Sequence, residues 1–166
     1  GRYYAANIQQ VQTPLLWFNK KMLEKEGITK NPYELWKEGN WNWDTFKEIG
    51  LKLTKDTNND KEIDQWGFAS INSSVFQWSN GASFIKVDEK GNVRISWKDP
   101  ECIRALQAMQ EARFKSVFYA TDPTFANTGF NDGKLGMAYG TFEYLAYNAN
   151  NFDPKDVGVA PFPTGP

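Results

Sequence analysis

The 166-residue sequence contains no histidine. That absence removes the usual general base at neutral pH and the usual transition-metal ligand, and with them any Ser-His or Cys-His nucleophile pair. There is a single cysteine, Cys102, so no internal disulfide can form, and one thiol does not identify a redox compartment. Charge of one sign is also missing: 19 basic residues stand against 20 acidic ones, a formal net charge of −1. Without a basic excess, the phosphate-neutralising term that drives nucleic-acid binding is absent. No apolar run approaches the length that crosses a bilayer, and no long cationic amphipathic stretch points to a membrane surface. The opening Gly1-Arg2-Tyr3-Tyr4 shows no targeting pattern.

What the chain has in quantity is rings. Aromatic residues make up 16%, with 7 Trp, 7 Tyr and 12 Phe. A core uses some of them, but Trp is seldom fully buried, and a surplus of amphipathic rings marks a surface that stacks on a ligand. Hydrophobic residues at 40% and charged residues at 23% are an ordinary globular balance. The length favours one domain, residues 1–166.

Apolar periodicity and punctuation give short strands alternating with helices. Strands are predicted at 15–18, 66–70, 135–139 and 157–160, with a hairpin joining 84–87 to 93–97. Helices are predicted at 20–26, 32–37 and 43 to about 54, then a short patch at 74–78, 100 to about 115, and 142–148. The 43–54 helix would bury Trp43, Phe46, Ile49 and Leu53, and the 100–115 helix Ile103, Leu106, Met109 and Phe114. Residues 121–131 read as irregular and 161–166 as extended. The alternation specifies an α/β layer fold with a short mixed sheet flanked by helices.

Three constellations could carry function. Asp56, Asn58, Asp60, Glu62 and Asp64 place oxygens at alternate loop positions, as a calcium loop requires. Lys61 stands where the turn glycine belongs and Gly67 where a bidentate Glu belongs, so a solvated turn with Asx caps is the competing reading. Asn72, Ser73 and Ser74, followed by Gln77 and Trp78, set small polar groups beside an indole, the combination that grips a sugar; a capped helix with Trp78 in the core is the alternative. Tyr139, Gly140, Thr141, Phe142 and Glu143 form a strand, a turn and a helix start; ligands of open α/β sheets lie beyond such strand ends, although either ring could equally belong to the core. Trp36, Trp41 and Trp43 sit at helix boundaries and read as structural. Carboxylates are plentiful, but no pair falls in a recognisable glycosidase motif.

Taken in order, the segments resemble the family 1 extracellular solute-binding proteins of bacterial ABC importers, the maltose-binding-protein-like group. Leu16-Trp17-Phe18-Asn19-Lys20-Lys21-Met22-Leu23-Glu24-Lys25-Glu26-Gly27 is similar to the family's YNK-x-LF-x-x-x-G segment. Asn42-Trp43-Asp44-Thr45-Phe46 resembles TWDEF, and Leu53-Thr54 the KLT that follows it. Asp56 to Gly67 resembles the DTNGDGKIDQYGF loop, Gly133-Lys134-Leu135-Gly136-Met137 resembles GKAAM, and Val157-Gly158-Val159-Ala160-Pro161-Phe162-Pro163 resembles GVAPLP.

The resemblance implies one lobe, the second, of a two-lobed type II binding fold that closes on its ligand like a hinge. The ligand would be a carbohydrate, and no catalysis would follow. Stacking would come from Trp78, Phe142 and Tyr139, and hydrogen bonds from Asn72, Ser73, Ser74, Gln77 and Glu143. No cofactor is required, and the loop of Asp56, Asn58, Asp60, Glu62 and Asp64 would be where a structural Ca2+ sits, as it does in some members. The implied partner is a membrane permease, the implied state a monomer, and the implied place the outer face of a bacterial membrane, lipid-anchored, or the periplasm. Two rival classes stand beside this reading: a fragment of a glycoside hydrolase, and a calcium-stabilised interaction domain.

Overall fold

A computed structural model describes residues 15–70, 74–122, 125–140 and 153–165. Four strands form one mixed sheet: β1 (Leu15–Asn19), β2 (Trp66–Ser70), β5 (Leu135–Gly140) and β6 (Val157–Ala160), in the order β2-β5-β1-β6. β2 and β5 are parallel, and β1 runs antiparallel to both β5 and β6. Residues 118–120 extend the sheet beyond β2: the Phe68 N–H donates to the Phe118 carbonyl and the Ala120 N–H to the Phe68 carbonyl, both at 2.9 Å. Strands β3 (Ile85–Val87) and β4 (Val93–Ile95) form a separate hairpin. Its polar side is tied to the start of the next helix, where Arg94 grips Asp99 with two bonds of 2.9 and 2.8 Å.

The first helices begin where asparagines can cap them. Asn19 accepts from the Met22 N–H at 3.0 Å, opening α1 (Lys20–Lys25). Asn31 with Glu34 and Asn42 with Thr45 form capping boxes at the heads of α2 (Pro32–Lys37) and α3 (Trp43–Leu53). Each side-chain acceptor satisfies N–H groups the helix leaves orphaned, worth about 1 kcal/mol per cap. The remaining helices are α4 (Val75–Ser79), α5 (Pro100–Gln110) and α6 (Phe125–Thr128).

Alternation along the strands feeds two cores. On one side Leu16, Phe18, Phe68, Met137 and Tyr139 meet Phe46, Ile49 and Leu53 of α3. On the other side Trp17, Ala69 and Ala138 pack with Ala120 and Phe130. Each large side chain fully removed from water contributes about 1.5–3 kcal/mol, so the sheet with α3 is the stable centre of the lobe. The approach of α3 to β2 is as close as backbones allow. A Cβ on Gly67 would overlap the Gly50 carbonyl, and one on Gly50 would overlap the Phe118 ring. The Thr54 hydroxyl bridges the same contact, accepting from the Gly67 N–H at 2.9 Å and donating to the Gly50 carbonyl at 2.8 Å.

Strands and helices fall where periodicity puts them, with three differences. The buried face of α5 is Cys102 and Ala105 rather than Ile103 and Leu106, which are 43% and 41% exposed. Small side chains let the helix lie close to its neighbours, a gain that weighting by hydrophobic size misses. After Gln110 the helix continues as a π-helical turn, Glu111–Lys115. The turn widens the winding, buries Ala112 and leaves Phe114 68% exposed. Helix α6 lies inside the stretch expected to be irregular. The helix predicted at 142–148 falls outside the described residues.

Candidate ligand-binding edge

The register brings four strand ends to one edge of the sheet. Leu15 pairs with Gly140, Leu16 with Ala160, and Ser70 with Tyr139. The carboxyl ends of β2, β5 and β6 and the amino end of β1 therefore lie side by side. Ser70 and Gly140, the last described residues before 71–73 and 141–152, both lie at this edge. Helix α4 lies against the same edge, because the Ser79 carbonyl accepts from the N–H of Gly165, beyond β6, at 3.2 Å. The Trp43 indole N–H also donates to the Ser79 hydroxyl, at 3.2 Å.

Of the residues read as ligand-binding, Ser74, Gln77, Trp78 and Tyr139 can be placed. Asn72, Ser73, Phe142 and Glu143 lie outside the described residues. Trp78 is 53% exposed, so the core reading of its indole does not hold. Ser74 immediately precedes α4 and is half-buried. Gln77 is buried on the inner side of α4, with its backbone carbonyl accepting from Asn80 and Ala82. Tyr139 is buried too, its ring edge-on to Phe162 at 5.4 Å, and burial pushes its hydroxyl pKa up. Its ring belongs to the core, which leaves Trp78 as the exposed ring among the placed candidates.

Much of the aromatic surplus is structural. Phe46 contacts the rings of Trp41, Phe68, Phe76, Phe118 and Phe162. Trp36 stands apart, 48% exposed beside Tyr33. Sequence reading passed over Tyr119, which is buried and donates from its hydroxyl to the Ser70 carbonyl at 3.1 Å, at the end of β2. The apolar run Val117-Phe118-Tyr119-Ala120 was the available signal for a strand there.

The polar loop lies at the opposite end of the sheet, just before β2. Asp56 accepts from the N–H groups of Asn58, Asn59 and Lys61 at 3.2, 2.6 and 2.8 Å. Asn58 accepts from Asp60 at 2.9 Å, and Asp60 from Glu62 at 2.8 Å. Lys61 takes φ 75°, the left-handed conformation that a glycine would adopt without strain. The first three oxygens thus turn inward as a hard cation would want. The second half of the loop does not complete the set. The Asp64 carboxylate takes both the N–H and the hydroxyl of Thr57. Position twelve is Gly67, where the packing against Gly50 admits no side chain. Among the described residues, no three His, Cys, Asp or Glu side chains are grouped to hold a metal, and calcium takes six to eight oxygens.

The mixed sheet with its flanking helices is the fold of a substrate-binding-protein lobe. The profile of the bacterial extracellular solute-binding proteins matches residues 2–166, and the chain belongs to that family. Solved structures with the same fold include the maltose/maltodextrin-binding domain MalE of Bdellovibrio bacteriovorus bound to maltotriose, 24% identical with a TM-score of 0.68. The maltotriose-binding protein of Thermus thermophilus is 25% identical with a TM-score of 0.65. UgpB of Mycobacterium tuberculosis, in complex with glycerophosphocholine, is 21% identical with a TM-score of 0.65. The matches cover 92%, 93% and 93% of this chain but 37%, 40% and 36% of those proteins, so the chain spans about two-fifths of their length. No curated protein sequence matches it significantly.

Proposed function

We propose that the chain is the second ligand-binding lobe of a two-lobed solute-binding protein, and that its ligand is a carbohydrate delivered to the permease of a bacterial ABC importer. The observation that carries this reading is the gathering of four strand ends at one edge, with the exposed indole of Trp78 on the helix beside it. Strand ends are where open α/β sheets present ligands. An exposed indole offers the flat apolar face that a pyranose ring covers, with an N–H at its margin. In this reading the hydrogen-bonding groups are Asn72, Ser73, Ser74 and Glu143, with Phe142 as a second ring. Hinge closure by the opposing lobe excludes water and completes the contacts. The protein acts as a monomer at the outer face of the bacterial membrane or in the periplasm. Family membership supports the solute-binding role and a place outside the cytoplasm, and the absence of histidine supports a role without catalysis.

The test is saturation-transfer NMR of the full-length protein with maltose, maltotriose and D-tagatose, each mixture followed overnight. Transfer without products supports a carbohydrate-binding protein, whereas appearance of shorter sugars would make it a glycosidase. Trp78→Ala is expected to weaken maltotriose binding about tenfold, the worth of one stacked ring and its buried area. Its melting temperature should stay within about 2 °C of wild type.

Binding at this edge needs no cofactor. The loop of Asp56, Asn58, Asp60, Glu62 and Asp64 is a separate proposal as a structural calcium site, remote from the ligand edge. Millimolar CaCl2 that raises the melting temperature of wild type but not of Asp56→Ala assigns the ion to the loop. Equal melting with calcium and with EDTA leaves it a self-bonded turn.

A further inference from the structure

Among the described residues, side chains hold four carbonyls at the ligand edge, and one of the four donors is unlike the rest. The carbonyls of Ser70, Gly140 and Pro161 accept from the Tyr119 hydroxyl and from the indole N–H groups of Trp17 and Trp41, at 3.1, 3.0 and 2.9 Å. Those donors are neutral and buried, and each has a single N–H or O–H to give. The fourth carbonyl is that of Thr121. Residues 118–120 run parallel to β2 with Tyr119 opposite Phe68, which brings Thr121 level with Ser70. Its carbonyl accepts from Nη2 of Arg113 at 3.0 Å. A guanidinium has five N–H donors and keeps its charge throughout the physiological range, so this bond leaves most of the group unused.

Arg113 is half-buried, with its guanidinium carbon 4.7 Å from the centre of the Tyr119 ring. Its Nε is buried without a hydrogen-bond partner, whereas Nη1, also unbonded, is open to solvent. Among the described residues Arg113 forms no ion pair; Arg94, by contrast, is held by Asp99. A half-buried cation without a counter-charge is unfavourable, and the backbone around this one is unusual. Arg113 lies in the π-helical turn Glu111–Lys115, which the Ser116 N–H closes on the Glu111 carbonyl at 2.8 Å. Val117 then takes φ 52°, a left-handed conformation that a β-branched residue seldom adopts. The reversal after it brings Tyr119 beneath the guanidinium. Turns and strain of this kind gather at functional sites.

We propose that Arg113 is a ligand-binding residue, and that the carbohydrate taken at this edge carries an anionic oxygen group, a carboxylate or a phosphate. The proposal rests on the reading of this edge as the ligand face and names the class of sugar it selects. The end of the fork, Nη1 with the remaining hydrogen of Nη2, suits two oxygens of one anion. The Tyr119 ring behind it and the Thr121 carbonyl beside it fix its direction before the ligand arrives, so little freedom is lost on binding. A neutral hydroxyl could occupy an N–H but would leave the charge uncompensated. An anion answers both needs.

The test is titration calorimetry of the full-length protein, at constant ionic strength, with D-glucose, D-glucuronate and D-glucose 6-phosphate. Wild type is expected to bind at least one of the two acids about tenfold more tightly than D-glucose, the scale of a hydrogen bond to a charged group. Which acid gains tells carboxylate from phosphate. Arg113→Gln is expected to abolish the preference, and Arg113→Lys, with the charge but not the fork, to keep part of it. Lys52→Gln, at the opposite end of the sheet, serves as the control for bulk charge and should change nothing. A second readout is the Nε–H NMR signal of Arg113 in wild type, assigned by its loss in Arg113→Lys and expected to shift with sodium phosphate or sodium acetate. D-glucose or maltotriose binding as tightly as both acids overturns the proposal, and so does a preference that survives Arg113→Gln. A signal that moves with neither phosphate nor acetate nor either acid overturns it whatever the sugar, and needs no folded variant beyond the one that assigns it. A signal that moves with phosphate or acetate, in a protein that binds none of these sugars, sustains the anion site and counts against the carbohydrate reading instead.

Discussion

The two ends of the central sheet face the same problem and solve it in opposite ways. At either end the ladder stops and backbone groups need partners. At the end preceding β2, the loop of residues 56–64 supplies them locally. Asp56, Asn58 and Asp60 bond N–H groups two to five residues ahead, on an exposed surface. At the other end the partners come from far away in sequence, and they are buried rings. Local bonds between exposed groups shape one turn and are replaceable by water. Long-range bonds from buried rings tie separate elements together, so their loss is felt in the core as well as at the edge. The difference shows which end is built to be held still.

The largest break in that symmetry should come from Trp17→Ala. It removes a core ring together with the Gly140 partner, and the cavity alone costs about 3–5 kcal/mol, readable as a shift of the urea midpoint. Asp56→Ala at the opposite end should cost about 1 kcal/mol, the scale of a lost cap, because its three N–H partners can turn to water. Ligand binding should be unaffected; a loss of stability approaching that of Trp17→Ala would erase the contrast. The smallest effect sharpens the picture by pH. The Thr57 hydroxyl and backbone N–H, both donating to Asp64, hold its carboxyl below the usual Asp range. A carboxyl lowered on folding stabilises the folded state above its unfolded pKa of about 3.9 and loses that contribution as pH falls through the lowered folded value. The Thr57 amide shift, followed by NMR, should therefore titrate with a midpoint below 3.9, while indole signals of Trp17 and Trp41 stay in place.

The same contrast explains what was legible beforehand. Asn19 and Asn42 announce their helices because a cap acts over three residues. Asp56 to Asp64 announces its turn for the same reason. The apolar runs at Leu15 to Phe18 and Leu135 to Tyr139 give the strands, since burial acts residue by residue. Trp17, Trp41 and Tyr119 could not be read as donors to particular carbonyls, because their partners lie 49 to 123 residues away and only the folded register brings them close. The aromatic surplus suggests a stacking surface for the same reason, whereas many of the rings, Phe46, Phe68, Phe76, Phe118 and Tyr119 among them, belong to the core. Only the fold distinguishes the exposed indole of Trp78 from the buried Gln77 beside it. The burial of Cys102 and Ala105 in preference to Ile103 and Leu106 was illegible too, since small residues earn their place by closeness of approach.

That closeness reaches its limit where α3 meets β2. Between Gly50 and Gly67 there is no side chain to bend, only main chain against main chain with the Thr54 hydroxyl across the joint. A side-chain layer between helix and strand behaves as a soft spring, and removing it leaves almost no slack. Helix and strand then form a stiff slab, and a displacement delivered to α3 arrives at Ser70, at the end of β2, nearly undiminished. This joint sets how faithfully a motion of the outer surface of α3 is repeated at the strand ends on the far side of the sheet.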